Sequence, residues 1–169
     1  MTRLARLLAS AAALAALAHP ALAAERPIEL AALFVPPETV AAAPAPRPTI
    51  TAVIDLSDQK MELTIARADT TELYRFPVST GRTGYATPPG TFQPTWLNRM
   101  HYSKKYDNAP MPYAVFFNGG IAVHGTEHVR RLGSPASHGC VRLDTANAKL
   151  FFAAVKEIGR EATTIIVQD

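Results

Sequence analysis

One stretch of this sequence concentrates nearly everything that can do covalent chemistry. Residues 121–143, IAVHGTEHVRRLGSPASHGCVRL, hold the only cysteine of the chain, Cys140, with His124, His128 and His138 from its five histidines and three of its arginines. A thiol attacks acyl groups only as the thiolate, and with a free pKa of about 8.5 it needs a base or cationic neighbours to react near neutral pH. The three histidines are the candidate bases. His138 precedes Cys140 by two residues, so an extended chain puts both side chains on one face. His124 ends the preceding strand and reaches the thiol only if the intervening loop brings it back. Spacing by itself does not choose between them.

The residues around the thiol fit acyl transfer. Gly139 lets the backbone turn so that successive amides point one way, the arrangement of an oxyanion hole. One such donor is worth roughly 2.7 to 4 kcal/mol to a tetrahedral intermediate. Arg142, two residues beyond Cys140, offers a guanidinium to a substrate carboxylate or to the thiolate, or else to a structural salt bridge. The same histidines and cysteine are zinc-ligand types, which gives a second reading as a zinc-dependent peptidase. That reading is the weaker one, because H-G-T-E-H is not H-E-x-x-H and Gly125 weakens the helix that an i, i+4 histidine pair needs. A binding module without turnover is a third reading, and it leaves a lone thiol beside histidines unexplained. No phosphate loop, G-x-S-x-G or paired-carboxylate signature is present, and no cofactor is expected.

These groups need a scaffold, and hydrophobic periodicity predicts a mainly β one. Ile50, Ala52, Ile54 and Leu56 alternate with polar or smaller residues, Ser57-Asp58-Gln59 supplies turn chemistry, and Met61, Leu63 and Ile65 alternate again, which reads as a hairpin. A third strand is expected over Leu73–Ser79 and a fourth near Thr91–Trp96, after a long turn punctuated by Gly81, Gly84, Pro88, Pro89 and Gly90. The order implies an antiparallel meander. The polar, aromatic stretch 98–108 carries no strand expectation, and a second hairpin follows with Tyr113–Asn118, Gly119-Gly120 and Ile121–His124. One helix is predicted, capped by Asp144, with Leu150, Phe151, Ala154, Val155 and Ile158 at helical spacing and Gly159 closing it. A last strand is expected over Thr163–Val167.

Composition supports one globular domain behind an export signal. The 169 residues are 48% hydrophobic and 18% charged, with a net charge of +3 that is not gathered into a basic block. A nucleic-acid partner is therefore not expected. Arg3 and Arg6 precede a run rich in Ala and Leu from Leu7 to Ala18, and Ala21-Leu22-Ala23 suits a signal peptidase, so residues 1–23 read as a signal peptide cleaved before Ala24. At 12 residues the apolar run is short of the ~20 that a spanning helix needs. The alternative is an uncleaved N-terminal anchor; both place the domain outside the cytoplasm, periplasmic or associated with the cell wall, without stable membrane insertion after cleavage. Residues 24–48 read as a Pro/Ala-rich linker, with five prolines between Pro36 and Pro48, and the domain is expected over 49–169. In an oxidising compartment a single cysteine has no intrachain disulfide partner.

The motifs together resemble the L,D-transpeptidases of the YkuD type, which act on bacterial peptidoglycan. The resemblance rests on His124-Gly125-Thr126, Gly133-Ser134-Pro135-Ala136 and Ser137-His138-Gly139-Cys140-Val141-Arg142-Leu143. It extends upstream to Pro77-Val78-Ser79-Thr80-Gly81 and Thr87-Pro88-Pro89-Gly90-Thr91-Phe92. It implies a β-sandwich of mixed or antiparallel strands with one packed C-terminal helix. It also implies Cys140 as nucleophile, His124 as base with the Gly125 carbonyl orienting its ring, and the amides of His138, Gly139 and Cys140 facing the oxyanion. Ser137 and Arg142 would line or brace the site, and Tyr113 would line the substrate groove. The family carries Asn or Arg at the position of Arg142. The implied reaction is attack on the diaminopimelate carbonyl of a tetrapeptide stem, release of D-alanine and transfer of the acyl group to an amine. The acceptor is a second stem or a wall-anchored protein; with water as acceptor the activity becomes that of an L,D-carboxypeptidase. Acylation by carbapenems, and poor acylation by penicillins, follow from the same resemblance.

Overall fold

The computed structural model describes residues 45–169. The signal peptide expected over 1–23 lies outside the described residues, as does the linker up to residue 44; its last four residues, 45–48, are exposed and without regular structure. Nine strands and one α-helix follow in the order β1 (Thr49–Asp55), β2 (Lys60–Ala66), β3 (Thr71–Pro77), β4 (Gly90–Phe92), β5 (Trp96–Ser103), β6 (Ala109–Asn118), β7 (Ile121–Thr126), β8 (Val141–Asp144), α1 (Thr145–Ile158) and β9 (Thr163–Gln168).

Two sheets form, one of five strands in the order β3-β2-β1-β9-β4 and one of four in the order β5-β6-β7-β8. The alternation that predicts the first hairpin is the alternation observed. Ile50, Ala52 and Ile54 of β1 and Met61, Leu63 and Ile65 of β2 are all buried, while their neighbours are open to solvent to varying degrees. The second sheet turns Val115, Phe117, Val123, Val141 and Leu143 into the same core. Helix α1 contributes Ala148, Phe151, Ala154 and Val155, and lies against β6 and β7. A fully buried side chain of the size of Phe151 contributes about 1.5 to 3 kcal/mol by leaving water, so this stripe fixes the helix firmly.

The helix ends follow their chemistry. The Asp144 carboxylate accepts the Ala146 amide at 2.8 Å, and Gly159, at φ +111°, closes the last turn with its amide on the Val155 carbonyl. Other expectations are corrected. The strand foreseen over 91–96 is two strands in two different sheets, separated at Gln93–Thr95 around Pro94, which has no amide to continue a ladder. The stretch 98–108 is not irregular throughout: residues through Ser103 continue β5, paired antiparallel with β6. Its polar residues conceal the strand because β5 is an edge strand with little of either face in the core.

The meander is real for β1, β2 and β3, but the sheets are mixed: β9 pairs parallel with β1 and β8 pairs parallel with β7. The parallel β7–β8 pairing puts the motif at the end of the excursion over residues 127–140 that joins these two strands.

Candidate active site

The outer face of the four-stranded sheet carries the candidate residues. Strand pairing sets Trp96 opposite Phe116 and Phe116 opposite Ala122; in the parallel β7–β8 pair Val123 meets Val141 and His124 meets Arg142. Cys140, one residue ahead of β8, therefore lies beside Ala122. Its side chain packs on the outer-face cluster of Met111, Ala114, Phe116 and Ala122. Because side chains alternate along a strand, His124 stands on the same face as Ala122, diagonal to the thiol. The fold, not the spacing, brings His124 and Cys140 into one site.

The two groups rest in neutral forms. Burial pushes the Cys140 thiol above its ordinary value, against the opposing pull of the Ala122 amide and the Arg142 charge. Its Sγ is 3.9 Å from the Gly120 carbonyl oxygen, a contact a thiol makes as donor. His124 is 6% exposed, and burial holds its pKa down to about 4; the bond to Gly125 opposes this, while the charges of Arg142 and His101 add to it. Its Nδ1 is 2.7 Å from the Gly125 carbonyl oxygen. A carbonyl can only accept, so Nδ1 carries the proton and Nε2 is left as the basic nitrogen.

Gly125 is set by packing. A Cβ there would stand 3.0 Å from the Thr145 Cα and 3.1 Å from the Pro112 ring, so only glycine lets β7 meet the start of α1 this closely. Gly139 is set by conformation, at φ +112°. This turn takes His138 out of the extended relationship with Cys140. The His138 ring stacks on Tyr106 at 4.4 Å and meets the edge of Tyr85 at 4.7 Å. Partial burial and the charges of Arg82, Arg142 and Lys105 depress its pKa.

Ser137 braces the turn from within. Its hydroxyl donates to the Cys140 carbonyl at 2.6 Å and accepts the Gly139 amide at 3.0 Å. The Gly139 amide is thus already engaged, which corrects its expected place among the oxyanion donors. Among the described residues the amides of His138 and Cys140 have no such partner. A second brace comes from residues 78–87. Ser79 and Arg142 exchange backbone hydrogen bonds at 3.0 and 2.9 Å, the Thr80 carbonyl accepts from Ala136 and Ser137, and Thr87 Oγ1 donates to the Gly139 carbonyl at 2.8 Å. The upstream motifs are therefore the wall on which the cysteine turn is built.

Tyr113 is corrected as well. At φ +55° it interrupts the alternation of β6, so that Met111 and Ala114 face the outer cluster while Tyr113 packs against Phe152 of α1 and the main core. Arg142 enters no ion pair among the described residues. Nor do three or more His, Cys, Asp or Glu side chains come together there as a metal-ligand group. Tyr85, Tyr106 and Arg82 escape a reading of the sequence because loops distant in the chain deliver them, with no local pattern to mark them.

No curated protein matches the chain in sequence. Solved structures do match. An L,D-transpeptidase from Stackebrandtia nassauensis is 28% identical with a TM-score of 0.57, over 76% of this chain and 60% of that one. An L,D-transpeptidase from Mycobacterium smegmatis is 21% identical with a TM-score of 0.61, over 72% and 59%. L,D-transpeptidase 3 from Mycobacterium tuberculosis, solved with a faropenem-derived adduct, is 24% identical with a TM-score of 0.60, over 72% and 61%. The last two share the fold; the chain spans about three-fifths of the length of these neighbours. The model of the L,D-transpeptidase catalytic domain (YkuD) matches residues 49–167, well over half of the sequence, and the chain, with its cysteine turn braced beside a buried histidine, belongs to that family.

Proposed function

We infer that this protein is a peptidoglycan L,D-transpeptidase working through Cys140. The observation that carries the reading is the outer face of the second sheet, where a half-buried thiol stands diagonal to a histidine whose Nδ1 is committed to the Gly125 carbonyl. In the forward step His124 Nε2 takes the thiol proton as Sγ bonds to the diaminopimelate carbonyl carbon of a tetrapeptide stem. The carbonyl oxygen gains negative charge within reach of backbone amides of the turn. Collapse breaks the carbon–nitrogen bond to the terminal D-alanine, whose amine receives the proton from Nε2, and a thioester remains. An amine of a second stem, or of a wall-anchored protein, then attacks the thioester, gives its proton to Nε2 and releases the thiol.

Neutral resting forms suit this order of events, since the proton moves only when the carbonyl carbon is in place. The faropenem-derived adduct on L,D-transpeptidase 3 from Mycobacterium tuberculosis, which shares the fold, is in keeping with a nucleophile of this kind. The N-terminal pattern of Arg3, Arg6 and the Ala/Leu-rich run supports action outside the cytoplasm.

The test is to incubate the full chain with purified tetrapeptide stems and identify products by mass. Loss of D-alanine with formation of a dimer supports the transferase; loss of D-alanine with a tripeptide stem alone supports the L,D-carboxypeptidase. Cys140→Ser should abolish both, because an alcohol of much higher pKa is not ionised by the same histidine. Wild-type turnover in that variant would overturn the cysteine mechanism.

A further inference from the structure

At Arg142, two residues beyond Cys140, the surface opens into a pocket of about 460 Å³ lined by Arg82, His128, Arg131, Pro135, Ala136 and Arg142. Three guanidinium groups converge there and no carboxylate lines it. None of the three has an ion-pair partner among the described residues. Glu127, the acidic residue nearest in the chain, lines a neighbouring depression with His128, Val129, Arg130 and Arg131.

This arrangement is costly without a ligand. Like charges held together repel, and Arg142 is half-buried, where an uncompensated charge loses hydration. An arginine fork matches a carboxylate with two parallel hydrogen bonds, so an anionic ligand relieves both costs. The opposite side of the thiol is apolar and aromatic, with Ala122, Phe116 and Trp96 in one row across the sheet and Trp96 stacked on Phe116 at 4.1 Å. The site is therefore polarised, with an anion acceptor on one side of Cys140 and an apolar trough on the other.

We propose that the pocket of Arg82, Arg131 and Arg142 is the subsite for the free α-carboxylate of the residue released from the acyl donor, and that Arg82 and Arg131 restrict the enzyme to bonds one residue from a C-terminus. The proposal rests on the transpeptidase reading above for the identity of the donor. A terminal carboxylate lies one residue beyond the scissile carbonyl, and Arg142, two residues beyond the nucleophile on the same strand face, spans that step. A stem extended by another residue would place a neutral amide among the guanidinium groups and leave them unmatched.

Two measurements on the full chain test this. In the first, D-alanine release from a tetrapeptide stem is compared with D-alaninamide release from the same stem amidated at its C-terminus. The wild type should prefer the free acid by kcat/KM on the order of tenfold or more, the usual worth of a charge-assisted pair. In Arg82→Gln/Arg131→Gln the ratio should collapse toward one, chiefly through KM. In the second, which needs no turnover, D-alanine should slow alkylation of Cys140 by a neutral reagent in the wild type. D-alaninamide should do so far less, and the double variant should lose the protection. Equal rates on both stems, or equal protection by both amines, would overturn the subsite and leave the transpeptidase reading standing. Carboxylate-specific protection without release from either stem would uphold the subsite and overturn the donor.

Discussion

The Nδ1 of His124 lies 2.7 Å from the carbonyl oxygen of Gly125, the next residue in the chain. The bond fixes the tautomer, aims Nε2 outward and needs no third side chain to do so.

The buried, neutral His124 has a consequence for stability. The folded protein keeps this ring unprotonated down to about pH 4, whereas the unfolded chain protonates it near 6.5, so between these values the unfolded state binds more protons. Acidification from pH 6.5 to 4 should therefore lower stability through this residue, by up to about 3 kcal/mol. Denaturant unfolding of the wild type and of His124→Gln across this range checks it: the variant should show the shallower fall, and parallel curves would refute the burial argument.

Catalysis should follow the same sign. With His124 neutral well below pH 6.5, kcat/KM should show no acid limb centred there, and alkylation of Cys140 by a neutral reagent should keep rising beyond the ordinary thiol range. A plateau of fast alkylation from pH 5 to 7 would indicate a resting thiolate–imidazolium pair instead.

Gly125→Ala should injure both packing and chemistry. The added methyl meets the backbone of Thr145 at the start of α1 and the Pro112 ring, which costs about 1 to 3 kcal/mol. The displaced carbonyl misdirects His124, which should lower kcat roughly 10- to 100-fold. Thermal unfolding and steady-state kinetics together measure the two effects, and wild-type values for both would contradict the geometry.

Ser137→Ala should loosen the cysteine turn. The change removes the bonds to the Cys140 carbonyl and the Gly139 amide at a buried position, and unsatisfied groups of this kind cost about 1 to 3 kcal/mol. The expected kinetic signature is a lower kcat with a smaller change in KM. An unchanged kcat would mean that the hydroxyl is only packing.

A carbapenem should acylate Cys140, because its strained amide presents an electrophilic carbonyl to a nucleophile with amide donors beside it. Penicillins should react poorly. Intact-protein mass spectrometry should find one stable adduct on the wild type and none on Cys140→Ser. An equal adduct on both would place the reaction elsewhere.

Much of this molecule is legible in its residues. The alternation of Ile50 to Leu56 and of Met61 to Ile65, the Asp144 cap and the helical stripe through Phe151 and Val155 are local signals, and local sterics and burial enforce them. The lone thiol among histidines and glycines likewise announces its chemistry, and the motifs carry the family. Tertiary structure decided the rest. The placement of His124 diagonal to Cys140, and of the sequence neighbour His138 against Tyr106, depends on a parallel pairing between β7 and β8 and on the φ of Gly139, neither of which periodicity encodes. The packing of Tyr113 against Phe152 and the hold of Thr87 on the Gly139 carbonyl are settled by contacts between distant segments, and the strand within 96–103 by its pairing with β6. So is the basic pocket: Arg82, Arg131 and Arg142 share it because residues 78–87 are hydrogen-bonded along the cysteine turn, and like charges meet only where the rest of the fold holds them.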